Sequence, residues 1–281
     1  MSESMIIVNT LEELFYARRF LENPLGLVPT MGYLHAGHIS LVRQARQESK
    51  SVIVSIFVNP TQFGPNEDLA SYPRNIERDL HLLEEAQVDL VWMPSPEVMY
   101  PPNYQTWVEV ELLTKPLEGS MRPGHFRGVT TVVSKLFNAT RPDKAYFGQK
   151  DAQQAAVVRQ MTRDLSYPIE IVVCPTQREA DGLAMSSRNS YLDTAQRQAA
   201  PVLHRALSAA KAAFSDGERD ADKLRQLVMD TVGTESQASL QYVSCADYYN
   251  LVELKTIESK ALISLAAYFG KTRLIDNVIL G

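Results

Sequence analysis

Two histidines stand three residues apart in the stretch Pro29-Thr30-Met31-Gly32-Tyr33-Leu34-His35-Ala36-Gly37-His38. The apolar run at residues 25–28 predicts a short buried strand before it, and residues 39–42 begin a helical pattern after it. A helix N-terminus offers amide N–H groups and the positive end of a macrodipole, so it favours an anion such as phosphate. The two rings would add donors, and Gly37 would let a flat group approach the backbone. A metal pair and two surface histidines are the alternatives for this spacing.

The composition is that of an ordinary globular protein. The chain has 281 residues, 45% apolar and 22% charged, with a net charge of −5. That charge and the lack of a long basic run oppose nucleic acid as the main partner. Cys174 and Cys245 have no metal-binding spacing, which fits a reduced, cytoplasmic setting. Residues 1–8 lack a signal-peptide pattern, and no apolar window approaches the ~20 residues that span a membrane.

Strand and helix patterns alternate through the first two-thirds of the chain. Predicted strands lie at residues 6–8, 25–28, 52–58, 88–92, 144–147 and 169–173. The run at 52–58 is nearly all apolar and rich in β-branched residues, which is typical of a strand buried on both faces of a parallel sheet. The alternation predicts an α/β, Rossmann-like domain with helices on both sides of the sheet.

The pattern changes after about residue 188. We predict one long helix from residue 193 to about 214 and a second at 223–232. Strands follow at 240–248, 261–267 and 272–279. This is a smaller α+β unit, and we divide the chain into domains at residues 1–176 and 177–281.

Polar segments follow several of the predicted strands. Ligands of α/β sheets bind beyond the carboxyl ends of the strands, so Asn59, Gln62 and Lys150 are candidates for substrate contacts. A rigid loop around Gln62 and a surface pair of Lys150 with Asp151 are the structural alternatives. Residues 175–189 are rich in hydroxyl groups and could close over a polyphosphate, or could simply link two domains.

The segment at residues 118–128 contains two arginines, a histidine and three glycines. We predict a loop here. Its basic side chains suggest an anionic ligand, and a solvated, flexible loop is the alternative.

The motifs together resemble one enzyme family. His35-Ala36-Gly37-His38 and Met185-Ser186-Ser187-Arg188 are similar to the two signature motifs of the nucleotidyltransferase and class I synthetase superfamily. Five stretches, in order, resemble the pantothenate synthetase family. They are Pro29-Thr30-Met31-Gly32, Phe57-Val58-Asn59-Pro60-Thr61-Gln62-Phe63, Arg122-Pro123-Gly124-His125-Phe126, Phe147-Gly148-Gln149-Lys150-Asp151 with Gln153-Gln154, and Asp181-Gly182-Leu183-Ala184-Met185-Ser186-Ser187-Arg188-Asn189.

The resemblance implies a ligase that condenses (R)-pantoate with β-alanine at the expense of ATP. The implied route passes through a pantoyl adenylate and releases AMP and pyrophosphate. The family also implies Mg²⁺ bound with ATP, a homodimer, and a C-terminal domain that acts as a lid.

The resemblance also implies roles for individual residues. The catalytic residues would be His38, His35 and Lys150. Pantoate would bind Gln62 and Gln154, and Gln62 would border the β-alanine site. The residues implied for ATP are Met31, Gly32, Tyr33, Leu34, His35, Ala36, Gly37, His38, Gly148, Gln149, Lys150, Asp151, Gln177, Met185, Ser186, Ser187 and Arg188. The family usually has glutamate at the position of Gln149, and the metal ligands are unknown.

Three other functions share some of these features. A nucleotidyltransferase of the same superfamily would have the histidine motif but would release no AMP. A tRNA-charging enzyme is opposed by the short chain and its acidic balance. A nucleotide-binding regulatory module would explain the phosphate loops but not the two glutamines together with both histidines.

Overall fold

The computed structural model describes residues 5–65 and 67–281 and falls into two compact units. The first comprises Met1–Gly148 and Gln154–Pro175, and the second comprises Gln149–Gln153 and Thr176–Gly281. Residues 1–4, half of the segment that lacks a signal-peptide pattern, lie outside the described residues.

The first unit contains a six-stranded sheet. Its strands are β1 (Ile6–Val8), β2 (Leu25–Thr30), β3 (Ser51–Ile56), β4 (Leu90–Trp92), β5 (Lys144–Gly148) and β6 (Glu170–Cys174). They run in the order β1-β4-β3-β2-β5-β6, and every neighbouring pair is parallel. All six residues of β3 are buried, as its β-branched sequence predicts. The predicted α/β class is confirmed.

The helices that accompany this sheet alternate with its strands. They are α1 (Leu11–Ala17), α2 (Ala36–Glu48), α3 (Ile76–Glu85), α4 (Pro96–Met99), α5 (Glu118–Met121), α6 (His125–Thr140) and α7 (Ala152–Asp164). The loop predicted at residues 118–128 is wrong, because α5 and the start of α6 occupy most of it. Gly124 makes the turn between them with a φ of +84°, a conformation that glycine adopts readily.

The strand order places a binding crevice in this sheet. Strands β3 and β4 follow outward from β2 on one side, and β6 follows from β5 on the other, so the order reverses between β2 and β5. Ligands of open α/β sheets bind at such a switch point, beyond the carboxyl ends of the strands. Thr30 ends β2 and Gly148 ends β5 at this edge.

The second unit is built on an antiparallel sheet. Its elements are α8 (Thr194–Ala199), α9 (Val202–Ser215), α10 (Ala221–Gly233), β7 (Ala238–Asp247), β8 (Ala261–Phe269) and β9 (Thr272–Leu280), with the strands in the order β7-β8-β9. The single long helix predicted from residue 193 is wrong. Pro201 lacks an N–H and cannot continue the preceding turn, so α8 and α9 are separate. A core of small and branched apolar residues from α9, α10 and β8 holds the unit together.

None of the helices in the described part of the chain has the length and apolar character needed to cross a membrane.

Candidate active site

The turn after β2 is fixed by backbone and side-chain hydrogen bonds. The Thr30 hydroxyl donates to Ser55 O at 2.8 Å and accepts from Gly32 N at 3.2 Å. Gly32 and Tyr33 both have positive φ, at 81° and 51°. This conformation is uncommon for tyrosine, so surrounding contacts must hold it.

Asp79 of α3 supplies those contacts. Its carboxylate accepts hydrogen bonds from Tyr33 N and Leu34 N, both at 2.7 Å. Asp79 is fully buried, and burial raises the pKa of its carboxyl, although the two backbone N–H groups partly oppose this shift. The amides of Tyr33 and Leu34 are therefore engaged within the protein.

A cleft of about 260 Å³ opens beside this turn. Its wall is largely apolar, from the residues that end β3 and follow β4, and Met31 and Tyr33 contribute from the turn. Arg74 and Asp79 also line it. Such a lining suits a ligand with both a hydrocarbon part and a polar group.

His35 and His38 form a capping box at the start of α2. His35 Nδ1 accepts from Gly37 N at 3.1 Å, and His38 Nδ1 accepts from His35 N at 3.3 Å. The two ring centroids are 4.0 Å apart. A nitrogen that accepts an N–H carries no proton, so each neutral ring holds its proton on Nε2. The predicted pair of donors at this helix start thus has a structural basis, but the Gly37 amide is engaged by His35.

Gln62 lies in a one-turn 3-10 helix, Pro60–Gln62, capped by Asn59. Asn59 Nδ2 donates to Gln62 Oε1 at 3.0 Å and to Gly128 O at 3.2 Å. Gln62 Nε2 lies 3.4 Å from Met31 Sδ and donates to it. The amide of Gln62 is therefore oriented, and it is brought next to Met31, another residue implied for substrate binding.

The Gln62 carbonyl is held by the segment that the sequence suggested for an anion. It accepts from His125 Nδ1 at 2.8 Å and from Arg122 Nη2 at 3.3 Å. Arg122 also forms a two-bond ion pair with Glu67, with both distances 2.6 Å. Arg127 stacks its guanidinium over the Trp107 ring, 4.6 Å from the centroid. These basic side chains bind other groups of the protein, so their contacts do not support an anion site in this segment.

His125 is a neutral histidine. Its Nδ1 donates to the Gln62 carbonyl, so Nε2 is the acceptor for Arg122 Nη1 at 3.2 Å. Burial, reinforced by the charge of Arg122, lowers the pKa of His125 from 6.5 to about 4.

We expect this histidine to make the protein less stable in acid. The unfolded imidazole binds a proton near pH 6.5 and the folded one only near pH 4. The free energy of unfolding should therefore fall as pH drops through this window, by at most about 3 kcal/mol. Urea unfolding at stepped pH measures the slope. His125→Gln should flatten it and His81→Ala, an exposed control, should not; equal slopes in wild type and His125→Gln would contradict the assignment.

In the second unit, Gln149–Asp151 form a short 3-10 turn. Lys150 Nζ lies 3.8 Å from Asp151 Oδ1, a distance typical of a weak ion pair, and the Lys150 side chain is 20% exposed. The sequence alternative of a lysine paired with Asp151 is thus present in the structure. It is compatible with phosphate binding, because so loose a pair is easily exchanged.

A hairpin leads into the Ser-Ser-Arg segment. Met185 N donates to Gln177 O at 2.9 Å, and Arg178 pairs with Ala184 across the hairpin. Ser186 then caps a 3-10 turn by accepting from Arg188 N at 3.3 Å, and Ser187 is buried. The Gln177 carbonyl therefore shapes the hairpin, while its contact with a nucleotide stays a prediction.

The structure adds Asp79 as a residue of the site that the sequence analysis missed. Asp79 was not among the sequence candidates, although it occupies an apolar position of the α3 stripe that contains Ile76, Leu80 and Leu83. An acid in such a position is a signal of a buried polar role.

Gln154 lies on α7 and is half-buried. Within the described residues, no cluster of three or more His, Cys, Asp or Glu side chains is arranged to hold a metal ion.

Comparison with known proteins identifies the family of this chain. A family model for pantoate-beta-alanine ligase matches residues 6–279. A pantothenate synthetase of Herpetosiphon aurantiacus is 60% identical over 277 residues, covering 98% of this chain and 100% of the relative. One from Roseiflexus sp. is 57% identical over 98% of this chain and 99% of the relative.

Solved structures give the same result. Pantothenate synthetase from Thermus thermophilus superposes with a TM-score of 0.94 at 46% identity, covering 98% of this chain and 99% of that chain. The ligase from Francisella tularensis, solved with beta-gamma ATP and beta-alanine, has a TM-score of 0.81 at 37% identity, with 98% of each chain covered. With a family model that spans almost the whole sequence and relatives matched along their full length, the chain belongs to the pantoate–β-alanine ligase family, the pantothenate synthetases.

Proposed function

We propose that this ligase activates pantoate as an acyl adenylate before it forms the C–N bond with β-alanine. The pantoate carboxylate would attack the α-phosphorus of ATP, forming a P–O bond as pyrophosphate leaves. The neutral amine of β-alanine would then attack the acyl carbon, and AMP would leave. The order is chemically required, because a free carboxylate has no good leaving group.

The observation that carries this proposal is the histidine cap of α2. Both rings are held with their protons on Nε2, at a helix start that follows the central strand β2. Donors fixed before the reaction stabilise charge that develops on a phosphate without reorganising during the step. We therefore assign His35 and His38 to the α-phosphate, within an ATP site that includes Met31–His38.

Residues of two further motifs would supply the remaining phosphate contacts. Lys150 can act as a point charge on phosphate oxygens, and Ser186, Ser187 and Arg188 can bind pyrophosphate as it departs. Gly148–Asp151, Gln177 and Met185 would complete ATP recognition. Mg²⁺ usually binds through substrate phosphates with one or two carboxylates, so a set of phosphate-binding residues fits a metal that arrives with ATP. When bound, it would neutralise charge on the leaving group.

Gln62 and Gln154 are proposed to bind pantoate, and Gln62 to border β-alanine. A glutamine can donate to a carboxylate and bond hydroxyls without adding a negative charge near the nucleophile. The network that fixes the Gln62 amide supports this assignment. The β-alanine bound to the Francisella relative supports the choice of amine.

We also propose roles for the two domains, an oligomeric state and a cellular location. Residues 1–176 would form the ATP- and pantoate-binding domain, and residues 177–281 would help shield the adenylate from water. The resemblance to the family implies that this chain forms a homodimer. The buried, unpaired thiols of Cys174 and Cys245 favour the cytoplasm, and the charge of −5 opposes a nucleic acid partner.

Product analysis tests the route. AMP formation from ATP and Mg²⁺ should require both pantoate and β-alanine, whereas exchange of labelled pyrophosphate into ATP should require pantoate alone. Exchange that depends on β-alanine would contradict an adenylate formed before the amine reacts. Pyrophosphate release without AMP, using another acceptor, would instead indicate a nucleotidyltransferase.

We expect Gln154→Ala to raise the KM for pantoate about tenfold, the loss of one or two good hydrogen bonds, and to leave the KM for ATP near its wild-type value. Initial rates measured while each substrate is varied separately check this. Gln160→Ala on the same helix is the matched control. A pantoate KM unchanged in Gln154→Ala would remove Gln154 from the pantoate site.

A further inference from the structure

Two adjacent polar residues are buried on β9, the last strand of the second unit. Asp276 is 2% exposed and Asn277 is 4% exposed. Burial of a carboxylate or an amide is costly unless its hydrogen bonds are satisfied. The partners of both residues lie in segments assigned above to ATP.

Asn277 uses its whole amide on the turn that carries Lys150. Its Nδ2 donates to Gln149 O at 3.0 Å and to Lys150 O at 2.9 Å. Its Oδ1 accepts from Gln149 Nε2 at 2.9 Å. These three hydrogen bonds from one rigid side chain fix the backbone of the Gln149–Lys150 turn. They therefore also fix the position from which the Lys150 side chain extends.

Asp276 fixes the strand at the same point. Its carboxylate forms two bonds with Arg178, at 2.6 and 2.9 Å, and accepts from Asn277 N at 2.8 Å. Arg178 also donates to Gly182 O at 3.0 Å, within the hairpin that leads to Met185. The buried carboxylate of Asp276, paired with Arg178, thus also holds the backbone N–H of Asn277. The side-chain amide of Asn277 therefore extends from a backbone that is fixed in place.

We propose that Asn277 is a positioning residue for Lys150 and that Gln149 is its required partner. Both Nδ2 hydrogens of Asn277 are used by the carbonyls of Gln149 and Lys150. The remaining atom, Asn277 Oδ1, can only accept a hydrogen bond, so residue 149 must provide the donor, which is Gln149 Nε2. A carboxylate at position 149 would face Oδ1, acceptor against acceptor. The amide at Gln149 is therefore matched to this support.

This inference rests on the proposed role of Lys150 in binding ATP, and a double-mutant cycle separates the two. Asn277→Asp keeps the size of the side chain but replaces the Nδ2 donor by an oxygen facing two carbonyls. We expect it to raise the KM for ATP or lower kcat, by on the order of tenfold to a hundredfold in kcat/KM for ATP, since misplacement of a reacting group costs this much. The KM for pantoate should stay near the wild-type value.

In a Lys150→Ala background, Asn277→Asp should add little further loss, because residues that act through one another are not additive. Full additivity, or an unchanged kcat/KM in Asn277→Asp alone, would overturn the positioning role. Wild-type kinetics in Lys150→Ala would instead overturn the assignment of Lys150.

Two further variants guard against misfolding. Gln149→Ala removes one bond and should give a smaller loss in the same parameter. Gln241→Ala removes a glutamine of β7 that accepts a hydrogen bond from Arg273 of β9, and it should leave kcat/KM unchanged. If Asn277→Asp does not fold, an unchanged kcat/KM for ATP in Gln149→Ala overturns the proposal.

Discussion

Replacement of His38 by alanine is expected to lower the rate of adenylate formation by about 10²–10³-fold, the usual effect of losing one donor to developing charge. Because we assign His38 to the phosphate, the affinity for pantoate should change far less. The variant also removes the acceptor of the His35 N–H, so part of the loss comes from a less ordered His35. Pantoate-dependent pyrophosphate exchange measures the first step, and pantoate binding is measured separately by calorimetry.

His81→Ala is the control for this variant. His81 is an exposed histidine of α3 whose side chain lies near Glu85, at 3.3 Å, and its loss should leave exchange unchanged. The assignment fails if His38→Ala exchanges pyrophosphate at the wild-type rate, or if it weakens pantoate binding as strongly as it slows exchange.

Asp79→Ala is expected to lower the free energy of unfolding by about 4 kcal/mol. The substitution leaves the part-buried amide of Tyr33 and the buried amide of Leu34 without their acceptor, and each such loss costs about 1–3 kcal/mol. It also leaves a cavity. Since these amides hold the positive φ of the turn before His35, pyrophosphate exchange should fall as well, even at temperatures where the variant is fully folded.

Urea unfolding measures the change in stability. Asp79→Asn should be intermediate, because its one acceptor oxygen can serve one of the two amides. Glu84→Ala, an exposed acid on the same helix, should stay within about 0.5 kcal/mol of the wild type. A loss in Asp79→Ala no larger than in Glu84→Ala would show that the turn does not depend on Asp79.

Local sequence patterns predicted much of the first unit. The β-branched run of β3, the apolar lead into β2 and the alternation with helices are enough for a parallel sheet, since burial on both faces demands such residues. Prediction was weaker where a single residue overrides a pattern. Pro201 divides an otherwise continuous helical stretch, and α5 and α6 occupy a segment whose glycines and arginines suggested a loop.

The candidate site was predicted as residue types more than as contacts. The segment around Arg122 was rich in positive charge, and charge alone suggested an anion. In the structure Arg122 meets Glu67, 55 residues away in sequence, and both Arg122 and His125 bond the Gln62 carbonyl. Sequence cannot separate a cation that binds substrate from one that is used by the fold, because the partner of each is set by chain packing.

Local sequence patterns were enough to predict the α/β class, the histidine pair at the start of a helix, and the motifs that resemble one ligase family. These features depend on neighbours within a few residues, where periodicity and capping are local. The side chains that hold these features in place became visible only in the folded chain. Asp79 reaches Tyr33 across 46 residues and Asn277 reaches Gln149 across 128, because a buried polar group takes whatever partner the folded chain brings within hydrogen-bond distance.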